Sequence, residues 1–306
     1  MQLPDRLLKL ALFGNAFFSL TSAAVFLIWP DSVSRFLGLE APLLLQVVGA
    51  GLALFAMDLF HQATRSRMAT WRALLASGGD FAWVAGSIIL LVFFSGVLSN
   101  MGLVAVALVA AVVASFGWLQ IIGILRVHRA ANGRDFRHCI AVEAQAPAES
   151  MWRVIADLGD IAHYMPELKR SSLRVGQVPG IGTVRECEDM VGKRWAEECT
   201  AFDPEQRKLE LRFLTEEPGF PFPAHQMRGG WQIIPLGASR CEVRVWWELD
   251  PKPRWLTAVL LPVLGWQVDQ NFPKLISRMA AEASGGSNEV PQQTRHRLAR
   301  LLPQPC

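Results

Sequence analysis

Four apolar stretches fill the first 125 residues, and they constrain this chain more than any other feature. They run over about 10–29, 43–60, 81–98 and 102–125. A helix needs roughly 20 mainly apolar residues to cross a bilayer, and each stretch approaches or exceeds that length. The breaks between them carry turn chemistry: Pro30-Asp31, the segment 38–42, the loop 65–72 and Ser99-Asn100. Charge divides the chain at the same place. Residues 1–125 hold 11 of the 57 charged side chains, and residues 126–306 hold the other 46. The expected organisation is a four-span membrane anchor over 1–126, a water-soluble domain over 136–283 and a disordered tail over 284–306.

Basic residues set the expected orientation. Arg6, Lys9, Arg65, Arg67, Arg72, Arg126, Arg129 and Arg134 fall on one side of the spans, and only Arg35 falls on the other. By the positive-inside rule, both termini and the soluble domain face the cytoplasm. A bacterial inner membrane is the expected location. The first stretch runs longer than a signal-peptide core and three more follow, so cleavage is not expected. Asp58 and Asp80 read either as proton or ion relays or, as the preferred reading, as interfacial, Asp58 near Arg65 and Asp80 capping a helix after Gly78-Gly79. A net charge of +3, evenly spread, gives no reason to expect nucleic acid.

The soluble part alternates strand and helix signals. One strand (138–144) precedes a helix opened by Pro147, with Trp152, Val154, Ile155 and Leu158 on its apolar face. A short helix near Ile161 ends at Tyr164-Met165-Pro166. Six strand-like runs follow, over 168–176, 183–190, 194–203, 208–214, 225–235 and 240–249. A long helical segment, 255–283, closes the domain, with Pro262 and Pro273 expected to bend or restart it. The fold class is α+β, with a seven-stranded antiparallel sheet covered by the last helix.

Strands 183–190 and 194–203 flank Val191-Gly192, which reads as a two-residue hairpin turn. That turn pairs Arg185 with Glu198 and Asp189 with Arg194, and Glu186 with Glu197. The face with Arg185, Cys187, Ala196, Glu198 and Thr200 is then expected to point inward, because the like-charged pair wants water. The Arg185–Glu198 pair reads either as a self-neutralising pin or as an anchor for a ligand headgroup. Period-two alternation extends the inner wall through Leu211 and Phe213, Met227 and Trp231, and Val245 and Trp247. His225 shares the face of Met227 and Trp231, as an internal polar group or a rim residue. Phe222, in the proline-rich segment 217–223, reads as part of a connecting loop or of a gate. Gln267 and Asn271, one helical turn apart, offer polar contacts to a ligand.

Several local sequences match a known pattern. They are Val142-Glu143-Ala144, Ala146-Pro147-Ala148-Glu149-Ser150-Met151-Trp152, Asp157-Leu158, Tyr164-Met165-Pro166 and Gly180-Ile181-Gly182-Thr183-Val184-Arg185. Glu198 ahead of Phe202-Asp203-Pro204, Arg207-Lys208-Leu209 and Trp231-Gln232-Ile233-Ile234-Pro235 complete the set. With the element order, they make the C-terminal half resemble the START-like, helix-grip superfamily, in its polyketide cyclase/dehydrase and lipid-transport (SRPBCC) branch. The resemblance implies a curved sheet gripping the long helix around an apolar cavity, a carboxylate at Glu198 facing that cavity, and a hydrophobic small-molecule ligand.

No CxxC or HExxH spacing points to a metal, and no P-loop, dinucleotide fingerprint or nucleophile elbow points to a cofactor or a catalytic serine. No catalytic residue is assigned. The expected function is a membrane-tethered domain binding a lipid, quinone or polyketide-like molecule. Two alternatives stand beside it: a cyclase or dehydratase using Arg185, Glu198 and His225 as cavity acid/base groups, and a membrane-held regulatory module whose protein partner is unknown.

Overall fold

The computed structural model describes residues 5–285 and 298–302. The chain divides into two compact units, Met1–Val127 and His128–Cys306.

The first unit is helical: α1 (Arg6–Ile28), α2 (Pro30–Leu37), α3 (Pro42–Thr64), α4 (Thr70–Phe93) and α5 (Asn100–Val127). All but α2 are long and apolar enough to cross a membrane. Gly38, with φ +85°, ends α2 in the left-handed conformation that closes many helices. A Cβ there would stand 2.4 Å from the Ser99 nitrogen, so the close approach of the α2 end to the α5 start requires glycine.

The third apolar helix differs from its expected form. It begins at Thr70, not near residue 81, and runs unbroken through Gly78-Gly79. Asp80 is therefore no cap. It lies inside the helix, 3% exposed, and side-chain amides from two neighbouring helices hydrogen-bond its carboxylate. Those amides let the helix carry a carboxylate in its interior, which its glycines and acid taken alone argue against. Asp58 pairs with Arg72 of α4 rather than with Arg65, whose guanidinium contacts His61.

The second unit contains β1 (Phe136–Ala144), α6 (Ala148–Ala156), α7 (Ile161–Tyr164), β2 (Leu168–Leu173), β3 (Val184–Asp189), β4 (Arg194–Asp203) and β5 (Lys208–Phe213). It continues with β6 (Ala224–Pro235), β7 (Cys241–Pro251), α8 (Thr257–Ala283) and β8 (Ala299–Leu301). One antiparallel sheet takes the order β2-β3-β4-β5-β6-β7-β1-β8. The seven expected strands are all present, and an eighth lies within the stretch expected to be a disordered tail. Residues 299–301 pair with β1 because β1 otherwise forms an open sheet edge, whose unpaired backbone groups accept another strand. The tail residues 286–297 and 303–306 lie outside the described residues.

The core sits between the sheet and the helices. Met151, Trp152 and Ile155 of α6 and Leu275, Ile276 and Met279 of α8 bury against Ile140, Val142, Leu209, Ile233 and Val243 of the strands. Each large aliphatic side chain buried this way contributes about 1.5–3 kcal/mol. The long helix α8 does not restart at its prolines. It continues through Pro262 and Pro273, each of which removes only one backbone donor from the ladder.

Candidate functional site: an apolar cavity under the long helix

The turn between β3 and β4 decides which acid the cavity sees. Asp189 N–H donates to the Lys193 carbonyl at 2.9 Å, and Gly192 N–H donates to the Asp189 carbonyl at 3.1 Å. Gly192 has φ +87°, so the connection has three residues and closes on a left-handed glycine. The Asp189 carboxylate also accepts the Val191 and Lys193 N–H groups, at 2.9 and 2.8 Å. The expected two-residue turn at Val191-Gly192 is not formed. Its common form needs positive φ at both central residues, which β-branched Val191 resists.

One extra loop residue moves the register by one and exchanges the faces of β4. Arg185 stands opposite Glu197 and Cys187 opposite Trp195, while Glu198 stands opposite Val184. Glu198 therefore points outward, where Arg212 holds it at 2.8 Å. Ala196 packs outside with Val184 and Leu214, and Thr200 is exposed. The inward acid is Glu197, 4% exposed, bridged to Arg185, 8% exposed. Trp195 Nε1–H donates to the other Glu197 oxygen at 2.7 Å, and Arg185 Nη1 donates to the Leu158 carbonyl at 3.3 Å. Arg185 Nε is buried and has no hydrogen-bond partner among the described residues. Burial, reinforced by Glu197, pushes the adjacent Cys187 thiol up to about 12 and keeps it neutral.

The sheet and α8 enclose a cavity of about 830 Å³. Of the residues singled out from the sequence, Arg185, Leu211, Phe213, Phe222, Met227, Trp231, Val245, Trp247, Gln267 and Asn271 all line it. Glu198 and His225 do not. A bulge between Ala224 and Gln226 breaks the period-two count in β6, so Ala224 faces the cavity and His225 is exposed. Phe272 of α8 fits between Trp231 and Trp247, with ring centroids 5.8 and 4.6 Å away, and ties the helix to the sheet beside the cavity. Phe222 packs edge-on against Trp195 and Phe213. The exposed hairpin tip, Met190 and Val191, shares the rim with Gln267 and Asn271.

Residues 139–284 match the polyketide cyclase / dehydrase and lipid transport family. Among solved structures, the chain is similar to an aromatase/cyclase from Streptomyces sp. R1128, at 19% identity over 49% of this chain and 93% of that one, TM-score 0.40. It is also similar to norcoclaurine synthase from Thalictrum flavum, at 18% identity over 48% of this chain and 96% of that one, TM-score 0.39. A Thermobifida fusca protein is 22% identical over 49% of this chain and 95% of its own, TM-score 0.38. Among curated proteins, none matches the chain.

The second unit also brings together a polar group that the sequence reading missed. His138 of β1 lines the cavity, and its Nε2 lies 3.1 Å from Asp269 Oδ1 of α8. The two residues are 131 positions apart, so only the packing of α8 on the sheet joins them. Gly265, one turn before Asp269, lets the imidazole lie flat on the helix, since a Cβ there would stand 3.0 Å from His138 Cε1. His128 stacks beside His138 with ring centroids 5.6 Å apart. Burial, with His138 adding to it, pushes the His128 imidazole down to about 3. His128 is therefore neutral at physiological pH and belongs to the packing, while His138 is the imidazole at the cavity wall.

Proposed function

We propose that this chain tethers a hydrophobic-ligand-binding domain to a membrane, with the ligand in the cavity under α8. The observation that carries the reading is the cavity itself. Its 830 Å³ lies within the range of small-molecule sites, about 300–1,000 Å³. Its walls are apolar and aromatic, and the Arg185–Glu197 pair and the unpartnered Arg185 Nε offer one polar anchor. A molecule with an apolar body and one hydrogen-bond acceptor fits this distribution, as a lipid, a quinone or a polyketide would. The matched family's description, which names both cyclases and lipid transport, supports the same class. The four apolar helices cross the membrane with both ends on the cytoplasmic side, as their basic flanks indicate. A ligand that partitions into the same bilayer is then held in the membrane to which the domain is tethered.

Native mass spectrometry of the full-length chain released from detergent should show an added apolar molecule per chain. In parallel, a polyene fatty acid should quench the tryptophan fluorescence, because Trp231 and Trp247 line its site. A chain that remains empty after expression and lipid exposure, and gives no quenching, would overturn this reading.

The His138–Asp269 pair favours a second reading, cyclase- or dehydratase-like chemistry in the same cavity. The Asp269 carboxylate orients the neighbouring imidazole, which places His138 to accept a proton from a substrate C–H or O–H. On this reading, His138→Ala lowers turnover of a poly-β-ketone analogue by about 100-fold or more, while ligand mass and unfolding midpoint stay unchanged. Equal turnover in both proteins would remove His138 from the chemistry.

A further inference from the structure

The helical unit contains a second cavity, of about 480 Å³, between α1, α3, α4 and α5. Its wall is almost wholly apolar, with Phe18, Phe26, Leu52, Phe55 and Trp83 among the lining side chains. Asn15, Ser19 and Asp80 make its one strongly polar end. Asp80 lies ten residues inside α4, about 15 Å along the helix axis, near the middle of a helix of membrane-spanning length.

The hydrogen bonds of Asp80 leave its charge uncompensated. Asn15 Nδ2 donates to both carboxylate oxygens, at 3.0 and 2.8 Å, and Gln120 Nε2 donates to one at 2.9 Å. Ser19 and Ser77 donate in turn to the amide oxygens of Asn15 and Gln120, which fixes both amides with their NH2 groups toward Asp80. Every one of these donors is neutral. The other acid inside an apolar helix, Asp58, has Arg72, but no basic side chain among the described residues pairs with Asp80. A carboxylate in a low-dielectric interior is costly without a counter-charge, and ionisable groups at membrane depth are functional candidates for that reason.

We propose that this cavity binds a hydrophobic amine, with its ammonium on the Asp80 carboxylate and its apolar body between α1, α3, α4 and α5. Charge and shape both select this class. The single carboxylate calls for a single cation, and the apolar wall favours one that carries hydrocarbon over a hydrated metal ion. Three hydrogen bonds from two neutral amides occupy part of the carboxylate and leave lone pairs for an ammonium. The site is independent of the cavity under α8.

The test is native mass spectrometry of the full-length chain with n-decylamine, and with 1-decanol as the neutral control. Two variants accompany the wild type. Asp80→Asn removes the charge at constant size. Gly51→Leu puts a side chain where a Cβ meets nothing within 4 Å, and so intrudes on the cavity without touching the Asp80 network. The expected result is a decylamine adduct on the wild type whose apparent affinity falls at least ten-fold in each variant, with decanol binding insensitive to Asp80→Asn. Binding under α8 is common to all three proteins and cancels in the comparison. If Asp80→Asn does not fold, Gly51→Leu decides. Equal decylamine affinity in the wild type and the folded variants, or no adduct at all, overturns the proposal and leaves Asp80 as a tie between α1, α4 and α5.

Discussion

Replacing Glu197 with alanine should destabilise the sheet-and-helix unit by about 3–5 kcal/mol, the cost of leaving a buried guanidinium without its carboxylate. Arg185 is 8% exposed and keeps only neutral partners, the Leu158 carbonyl and the Cys187 side chain, after the change. It cannot release its proton, because arginine stays charged under all ordinary conditions. Glu198→Ala should cost less than about 1 kcal/mol, because that ion pair is exposed. Arg212 would also retain Glu216 at 2.9 Å. Denaturant unfolding followed by tryptophan fluorescence measures both. The contrast reports the strand register directly, since the two glutamates are neighbours in sequence and differ only in face. Equal costs would mean that β4 does not present Glu197 to the interior. A double variant, Arg185→Met with Glu197→Leu, should recover most of the loss, because an apolar pair of similar volume removes both charges from the interior.

Acidification should destabilise the same domain through His128. Unfolded, its imidazole titrates near the ordinary value of 6.5; folded, burial and the neighbouring His138 hold it neutral down to about 3. Between those two values the unfolded chain binds a proton that the folded chain refuses. The contribution is therefore whole above about pH 6.5 and shrinks as the pH falls through the window. At pH 5 the loss from this one group is about 2 kcal/mol, from 1.36 kcal/mol per pH unit. His128→Gln should flatten this slope between pH 7 and pH 5, whatever it does to stability at pH 7. An unchanged slope would assign the acid sensitivity to other groups.

The apolar helices and the strand order were legible because they rest on composition and periodicity, which local sequence carries. Leu211, Phe213, Trp231, Val245 and Trp247 reached the cavity wall for the same reason: each lies in a regular strand where alternation holds. The two cavity residues that were misplaced, Glu198 and His225, both follow a break in regularity. The three-residue turn at 190–192 moved the inward acid from Glu198 to Glu197. The bulge at Ala224/Gln226 turned His225 out. Both events are one-residue insertions into a period of two, and one residue suffices to exchange faces. Val191 was the available signal, since a β-branched residue disfavours the two-residue turn. Nothing comparable near His225 marks the bulge.

Taken alone, the sequence determined that this chain has two parts suited to different solvents, and that the second folds as a sheet gripped by a long helix. Burial requires those outcomes of any structure these residues adopt, because four apolar runs and six alternating strands each have one place to put their hydrophobic faces. Only the tertiary structure decided the polar chemistry. It set His138 against Asp269 across 131 positions, Arg185 against Glu197, and Asp80 between two neutral amides with no cation among the described residues. Hydrophobic burial depends on pattern and tolerates small shifts. A hydrogen bond or ion pair needs two atoms within about 3 Å, and the packing of distant segments is what supplies that distance.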